Sequence, residues 1–218
     1  MTPQPPIRAT LHELDAPTRA LVRLSAIVTA GTEADIRAIM QTIPDVIPAA
    51  WVEELLLQSH LFAGFPRALN AMREWRRVQP DIAVAAPAND ASGSSAADLA
   101  TWRADGEATC AAVYGGMYDR LRHNIRLLHP LLDDWMITDG YGKVLSRPGL
   151  DLARRELCIV AACAAAGQDR QLHSHLHGAR NVGVEPDVVD DVIEAVADDI
   201  GADRAQAARL LWARVRGK

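Results

Sequence analysis

The sequence predicts an all-α protein built from two related sets of helices, and three observations support this. Hydrophobic residues make up 49% of the 218 residues and aromatic residues only 5%. Such a chain, rich in Ala, Leu and Val, favours helices packed on helices over a sheet. Apolar residues recur at helical spacing along most of the chain. Several spaced identities return at a nearly constant offset, which indicates an internal repeat.

The first predicted unit is an N-terminal helical repeat, residues 11–78, preceded by a frayed arm. Its helical pattern is interrupted at Gly31, at residues 44–48 and at residues 64–66. The segment QPDIAVAAPANDASGSSAAD, residues 79–98, follows. It is low in charge and rich in Ala, Ser and Pro, which predicts a flexible linker.

The second predicted unit covers residues 99–218. It begins with a helical pattern near Leu99, and DGYGKVLSRPGLD, residues 139–151, predicts a non-helical elbow. Asp151 is a suitable N-cap for the helix LARRELCIVAACAAA, and Gly167 is expected to end that helix. A second helix should end at Gly183, since glycine commonly follows the last helical turn. Pro186 should open a third helix from its first turn.

The internal repeat has an offset of 136 residues, and one inserted residue later changes it to 137. The first matches are Arg19, Gly31 and Ile36 with Arg155, Gly167 and Leu172. The later matches are Gly64, Arg67, Ala68, Ala71 and Trp75 with Gly201, Arg204, Ala205, Ala208 and Trp212. Each copy is therefore predicted to be a helical hairpin followed by two more helices.

The two copies have lost polar residues in complementary places. Glu156 and His175 of the second copy correspond to Ala20 and Ile39 of the first. Conversely, His60, Phe65 and Asn70 of the first copy correspond to Ala197, Ala202 and Ala207 of the second. This pattern indicates one site assembled from both copies, with His60 and Phe65 in its wall. The alternative is that residues 58–70 are only a packing element.

Glu156 and His175 are the candidate catalytic pair. They lie eleven and eight residues from the turn at Gly167, on its two arms. At about 1.5 Å per residue their heights differ by about 4–5 Å, which two side chains can bridge. A buried carboxylate needs a partner. Glu156 is therefore expected either to pair with His175 for acid/base chemistry or to form an ion pair with an arginine such as Arg155 or Arg180.

The other two histidines of HSHLH, His173 and His177, are one helical turn apart and share a face. His175 points the other way, so these residues do not form a three-histidine metal site on one helix. The sequence contains no HExxH motif and no paired cysteines to complete a zinc site. We expect no metal and no cofactor, with His173 and His177 facing solvent or a neighbouring subunit.

Residues around the hairpin are candidates for binding the substrate. Arg147 and Arg180 suit a carboxylate, because a guanidinium binds carboxylates bidentately. The alternative for each is a structural ion pair. Tyr141, in the predicted elbow, is expected either to line a pocket or to form the turn.

The bulk properties disfavour several classes of protein. A net charge of −5 gives no basic surface for nucleic acid. The longest apolar runs are too short to span a bilayer, and no apolar signal segment is present near the N-terminus. Cys110, Cys158 and Cys163 form no CxxC and are predicted to be buried free thiols. These features predict a cytoplasmic protein with no membrane or nucleic-acid partner.

Two stretches carry a family resemblance, YGKVLSRPGLDLARRELCIVAACAAAG and HSHLHGARNVGV. The region from about Tyr114 to Ile193 resembles the carboxymuconolactone decarboxylase family, within the AhpD-like superfamily. The segment ELLLQSHLFAGFPRALNA, residues 54–71, resembles the tail that single-repeat members carry after the same core. The resemblance implies tandem all-α hairpins of the AhpD-like type.

The AhpD-like alkylhydroperoxidases in this superfamily carry a glutamate, a CxxC pair and a histidine on the corresponding hairpin. The resemblance places their glutamate on Glu156 and their histidine on His175. Their two cysteines fall on Gln168 and Gln171. It therefore implies that the proton-relay residues are kept and that thiol peroxidase chemistry is lost.

The resemblance implies a cofactor-free decarboxylase, or similar lyase, acting on a small lactone or carboxylic acid of aromatic-compound catabolism. It also implies a homo-oligomer, a trimer or a hexamer. Two other functions stay open on the sequence: a different acid/base enzyme that opens or hydrolyses a ring, and a non-catalytic binding or assembly protein on the same scaffold.

Overall fold

The computed structural model describes residues 9–82 and 96–217. Across these two ranges the regular structure is helical, which confirms the predicted all-α class. The only β-type pairing in them is an isolated parallel bridge between Leu11 and Val184. None of the helices in this part of the chain combines the length and apolar character needed to cross a bilayer.

The N-terminal unit contains four helices: α1 Ala16–Ala30, α2 Glu33–Met40, α3 Ala49–Ala63 and α4 Phe65–Val78. Asp15 caps α1 by accepting a hydrogen bond from the Thr18 backbone amide. Thr32 and Asp35 form a reciprocal capping box at the start of α2. Helices α3 and α4 meet at Gly64, whose φ of 83° favours glycine. The predicted breaks at Gly31 and Gly64 are confirmed.

The middle of the chain contains a longer helix and a compact group of short ones. The elements are α5 Ala96–Tyr114, a 3₁₀ turn Gly115–Met117, α6 Tyr118–Leu128, α7 Pro130–Trp135 and a π-helical segment Met136–Leu145. Asp133 of α7 lies between Arg122 and Arg126 of α6 and accepts hydrogen bonds from both. This ion-paired cluster joins α6 to α7.

The predicted elbow at residues 139–151 is wrong over its first half, because the π-helical segment continues to Leu145. Glycines between apolar residues, as in this stretch, are typical of a turn. Gly142 instead lies so close to the backbone carbonyl of Trp102 in α5 that no β-carbon would fit. Gly106 of α5 lies equally close to the carbonyl of Ile137. These glycines permit close helix packing, which a single-sequence pattern does not distinguish from a turn.

The C-terminal unit also has four helices: α8 Leu152–Ala166, α9 Asp169–Asn181, α10 Pro186–Ile200 and α11 Ala202–Arg216. Asp151 caps α8 by accepting from the Arg154 backbone amide, as predicted. Gly167 ends α8 in the left-handed conformation, with φ 67° and ψ 34°. Pro186 occupies the first turn of α10, again as predicted.

The helices of the two units correspond in order, and several local details agree. Gly201 joins α10 to α11 with φ 84° and ψ 158°, close to the values of 83° and 158° at Gly64. Helices α1 and α8 pack against each other at the centre of the molecule, where Ser25 donates a hydrogen bond to the Cys158 carbonyl. The two units therefore share one hydrophobic core.

Some of the predicted segments lie outside the described residues, and the predicted start of α5 differs slightly from the observed one. Most of the predicted linker, residues 83–95, and the arm before residue 9 lie outside the described residues. Helix α5 begins at Ala96, three residues before the predicted start at Leu99. The beginning of the N-terminal unit is also tied to the C-terminal unit, because the Leu11 amide donates to the Gly183 carbonyl.

Candidate active site

The α8–α9 hairpin places Glu156 and His175 in direct contact. His175 Nδ1 lies 2.8 Å from Glu156 Oε2. Glu156 is fully buried and His175 is 5% exposed. Within the described residues, Glu156 forms no ion pair with an arginine. The arginine-pair alternative raised by the sequence is therefore not what this structure shows.

Gly178 provides the space for the Glu156 carboxylate. It lies on α9 in the turn that follows His175, and a β-carbon at this position would come 2.5 Å from Glu156 Oε2. The same β-carbon would also lie 2.8 Å from Val113 Cγ1. Because both neighbours are buried, only glycine lets α9 approach α8 and α5 this closely around the carboxylate.

The hydrogen bond that His175 donates to Glu156 determines which histidine nitrogen is available for chemistry. A carboxylate accepts, so His175 carries a proton on Nδ1 and presents Nε2 as the nitrogen that gains or loses a proton. The other oxygen, Glu156 Oε1, is buried without a hydrogen-bond partner in the described residues. His175 is therefore the single hydrogen-bond partner of Glu156 in this part of the chain.

His175 lies in the wall of a cavity of about 660 Å³, the main chamber. Helix α9 contributes four neighbouring side chains to it: Arg170, Gln171, Ser174 and His175. The end of α3 contributes His60, Leu61 and Phe62. The opposite wall comes from the middle of the chain and includes Tyr114, Leu132, Trp135, Met136, Tyr141 and Leu145. Residues of the two units therefore face one cavity.

His60 and Phe65 occupy different positions relative to the main chamber. His60 lines it, and His60 Nδ1 lies 2.6 Å from the Leu57 carbonyl, to which it donates. Phe65 stacks on His60 with ring centroids 4.7 Å apart, but it is 66% exposed and does not line the chamber. Phe62, which the sequence analysis did not single out, packs edge-on against His175 at a centroid distance of 5.7 Å.

Two tyrosines, Tyr114 and Tyr141, lie in the wall close to His175. The Tyr114 ring lies 6.4 Å from the His175 ring and 6.3 Å from the Tyr141 ring, between centroids. Burial raises the pKa of both tyrosines, so their hydroxyl groups stay protonated. Tyr141 therefore lines a pocket, and its segment is helical rather than a turn.

Arg147 and Arg180 do not line the main chamber, contrary to the sequence-based prediction. Arg147 forms a two-pronged ion pair with Glu54, with Nη2 2.9 Å from Oε1. Arg180 Nη1 donates to the Val215 carbonyl at 2.9 Å. Both guanidinium groups are therefore structural, and the sequence alone gives no indication of partners so far away in the chain.

Arg170 is the arginine that lines the main chamber, and the sequence analysis did not identify it. It forms no ion pair with any residue in the described part of the chain. The signal was present in the sequence, because Arg170, Gln171, Ser174 and His175 follow helical spacing along one face of α9. Arg170 is thus the available cation for an acidic ligand in this cavity.

The three cysteines are buried and free, as predicted. Burial raises the pKa of Cys110 and of Cys163 to about 12, and it raises that of Cys158 as well. Since the thiolate is the reactive form, none of the three is prepared to act as a nucleophile near neutral pH.

His173 and His177 face away from the catalytic pair. Their ring centroids are 4.9 Å apart, and the two half-buried side chains line a second cavity. Across residues 9–82 and 96–217, no group of three or more His, Cys, Asp or Glu side chains has the arrangement of a metal site.

Compared with known families, residues 134–214 match the model of the carboxymuconolactone decarboxylase family. This segment belongs to the carboxymuconolactone decarboxylase family. The match begins later than the sequence resemblance suggested and continues through most of α11. It includes both Glu156 and His175, whereas His60 lies outside it. A search among curated proteins finds no match.

Within this matched segment, α8 carries Glu156, α9 carries His175, and the π-helical segment supplies part of the wall of the main chamber. Here α3 of the N-terminal unit supplies another part of the wall. The main chamber is therefore bounded partly by the family segment and partly by residues that precede it.

Proposed function

We propose that the protein is an acid/base enzyme of the decarboxylase type, acting without a cofactor on a small lactone or carboxylic acid. The observation that carries this proposal is the buried hydrogen bond between Glu156 and His175 at the wall of the main chamber. In a non-catalytic scaffold, nothing would favour burying a carboxylate whose hydrogen-bonded histidine lines a cavity. Buried charge is costly and persists mainly where it is used or fully paired.

The proposed reaction is the replacement of a carboxylate by a proton. The carbon–carbon bond to the carboxylate breaks, CO₂ leaves, and the bonding electrons stay on the substrate as a carbanion conjugated with a carbonyl. His175 then donates the proton on Nε2 to that carbon. Glu156 stabilises the imidazolium before the transfer, and the Nε2 proton is restored from solvent to complete the cycle.

The wall of the main chamber suits this reaction in two ways. Phe62, Tyr141 and Leu145 give it an apolar part, in which a carboxylate is poorly solvated and its loss as neutral CO₂ is favoured. Arg170 gives it one cationic part, which binds an acidic group and holds the substrate in a fixed orientation. Arg170 would thus bind the acidic group of the substrate, which the sequence predicted for Arg147 and Arg180.

The decisive experiment is a screen of lactones and aromatic-ring-derived acids with purified protein, in which released CO₂ is measured directly. We expect at least one acid to release CO₂ in a reaction that His175→Ala abolishes. Ring opening without CO₂ would assign the chamber to a hydrolytic acid/base reaction. The absence of any turnover, together with unchanged ligand binding in His175→Ala, would favour a binding protein.

A further inference from the structure

A second cavity of about 460 Å³, the side chamber, adjoins the main chamber. It lies between α5, α6 and α9, and its wall includes Val113, Met117, Arg120, Asn124, His173 and His177. Tyr114, Leu121 and Ser174 line both chambers. Along α9, His173 therefore faces the side chamber, Ser174 lies at the boundary and His175 faces the main chamber.

The side chamber has the charge pattern of an anion-binding site. Arginine and histidine are its ionisable residues apart from Tyr114, and no Asp or Glu occurs in its described lining. Arg120 forms no ion pair with any residue in the described ranges. In a chain with a net charge of −5, a cavity without carboxylates is a place where an acidic group meets little repulsion.

Part of the remaining wall of the side chamber is apolar, and a hydrogen bond holds two of its helices together. Val113, Met117 and Leu121 face the cavity. A ligand that fits it would therefore combine an apolar body with a charged end. Asn181 Nδ2 donates to the Val113 carbonyl at 2.8 Å, which joins α9 to the end of α5. This hydrogen bond fixes the spacing of α5 and α9 on one side of the cavity.

The sizes of the two chambers indicate the length of the ligand. Binding pockets of about 300–1,000 Å³ hold whole drug-sized molecules, and each chamber alone falls within that range. A compact one-ring substrate needs the main chamber alone. Two adjoining chambers fit a longer molecule with different chemistry at its two ends.

We propose that the side chamber is an acid-recognition subsite and that the protein takes elongated organic acids. The acidic group lies beside Arg120 and His173, the apolar body passes Tyr114, Leu121 and Ser174, and the reacting end lies beside His175. This rests on the proposed function for the identity of the reacting end. The acid subsite itself is tested by binding alone.

The test compares 6-phenylhexanoate with its neutral amide, by calorimetry on the full chain. We expect the acid to bind about 10-fold more tightly than the amide, because the guanidinium of Arg120 donates charge-assisted hydrogen bonds to it. Arg120→Gln should abolish this preference and leave the affinity for the amide unchanged. Arg120→Lys keeps the charge and should retain part of the preference.

Arg19→Gln is the matched control, since it removes the same charge from an exposed position on α1 that lines neither chamber. It should leave both affinities unchanged. Imidazole resonances, assigned with His173→Gln and His175→Gln, report on both chambers. We expect 6-phenylhexanoate to shift the resonances of His173 and His175, and the shorter benzoate to shift only one of them.

Equal binding of acid and amide, or no binding of either at millimolar concentration, would overturn the subsite. So would a preference that survives in Arg120→Gln, or a long acid that shifts only one of the two histidines. The subsite and the proposed function can fail independently of each other. Loss of CO₂ release in His175→Ala without any effect of Arg120→Gln overturns only the subsite. Full turnover in His175→Ala with an intact acid preference overturns only the proposed reaction.

Discussion

Gly178 lies directly against the Glu156 carboxylate, and a β-carbon there would come 2.5 Å from Oε2. Gly178→Ala adds that β-carbon. Alanine normally stabilises a helix relative to glycine by up to about 1 kcal/mol. Here the clash with two buried groups should dominate and lower the free energy of unfolding by about 1–3 kcal/mol. Chemical denaturation measures this change.

The control for Gly178→Ala is Gly116→Ala. A β-carbon at Gly116 meets no atom within 4 Å, and its φ is outside the positive range. That variant should therefore be close to neutral. A Gly178→Ala protein as stable as the wild type, with full activity, would show that the carboxylate is not held as tightly as this contact indicates.

The catalytic pair gives the second prediction. His175→Ala removes the group that donates the proton, so the rate of CO₂ release should fall by about 10²–10⁴-fold. Glu156→Gln keeps the size of the side chain but removes the charge that stabilises the imidazolium. It should lower kcat with little change in KM, because the charge acts on the protonated histidine rather than on the bound substrate.

Circular dichroism of both variants serves as the control for folding, with steady-state kinetics as the readout. A Glu156→Gln enzyme with wild-type kcat would mean that Glu156 only fills space beneath His175. In that case the mechanism would need another group to set the protonation of His175.

The third prediction separates His60 from Phe65. His60 lines the main chamber, whereas Phe65 stacks on the outer side of its ring. His60→Ala should therefore lower kcat/KM while the fold stays intact, and Phe65→Ala should have a smaller effect. Equal rates for His60→Ala and the wild type would show that His60 takes no part in the reaction.

The residues that begin and end α8 and that begin α10 could be predicted from the sequence, because capping depends only on residues close in the chain. Asp151, Gly167 and Pro186 each act on backbone groups within a few residues. The contact between Glu156 and His175 could also be predicted from the sequence, since both residues lie on one hairpin. The count of residues from Gly167 was enough to place them at similar heights.

The pairing of Arg147 depends instead on contacts distant in the chain. Its partner Glu54 lies 93 residues earlier, in the other unit. Glu54 also accepts from the fully buried Arg155, whose Nη2 lies 2.8 Å from Oε2. One carboxylate thus engages two arginines and joins the two units. No local pattern distinguishes such an arginine from one that is available to a substrate.

The fourth prediction concerns the ion pair between α6 and α7. Arg122 holds the pKa of Asp133 below its usual range, through hydrogen bonds that favour the carboxylate. A pKa lowered in the folded state stabilises the fold above the ordinary aspartate pKa of about 3.9, and this contribution is lost as the pH falls through the folded pKa. Asp133→Asn should therefore cost about 3 kcal/mol at pH 7, and its deficit should shrink in acid.

Asp134→Asn is a close control, because the neighbouring Asp134 pairs with Arg103 where both side chains are largely exposed. Exposed ion pairs contribute about 0–1 kcal/mol to stability, so the free energy of unfolding of this variant should be close to that of the wild type. Thermal unfolding from pH 7 to pH 3 compares the two. A deficit for Asp133→Asn that stays constant with pH would assign its cost to packing rather than to charge.

The fifth prediction is the homo-oligomer expected from the sequence, a trimer or a hexamer. The hairpin formed by α6 and α7 exposes several large apolar side chains close together, the α6–α7 patch: Leu127, Leu128, Leu131, Leu132 and Trp135. Contiguous exposed apolar surface of this kind marks interaction sites. Leu132 and Trp135 also line the main chamber, so a second copy seated on the patch would border the cavity.

We expect light scattering to give a mass of three or six chains at micromolar concentration. Leu127→Asp combined with Leu128→Asp should shift that mass towards the monomer, because an interface cannot bury two unpaired charges without a large penalty. Leu210→Asp is the control, since Leu210 is an exposed leucine on α11, outside the patch. A wild-type protein that is monomeric at this concentration would contradict the oligomer. An oligomer that withstands the double substitution would place its interface elsewhere on the surface.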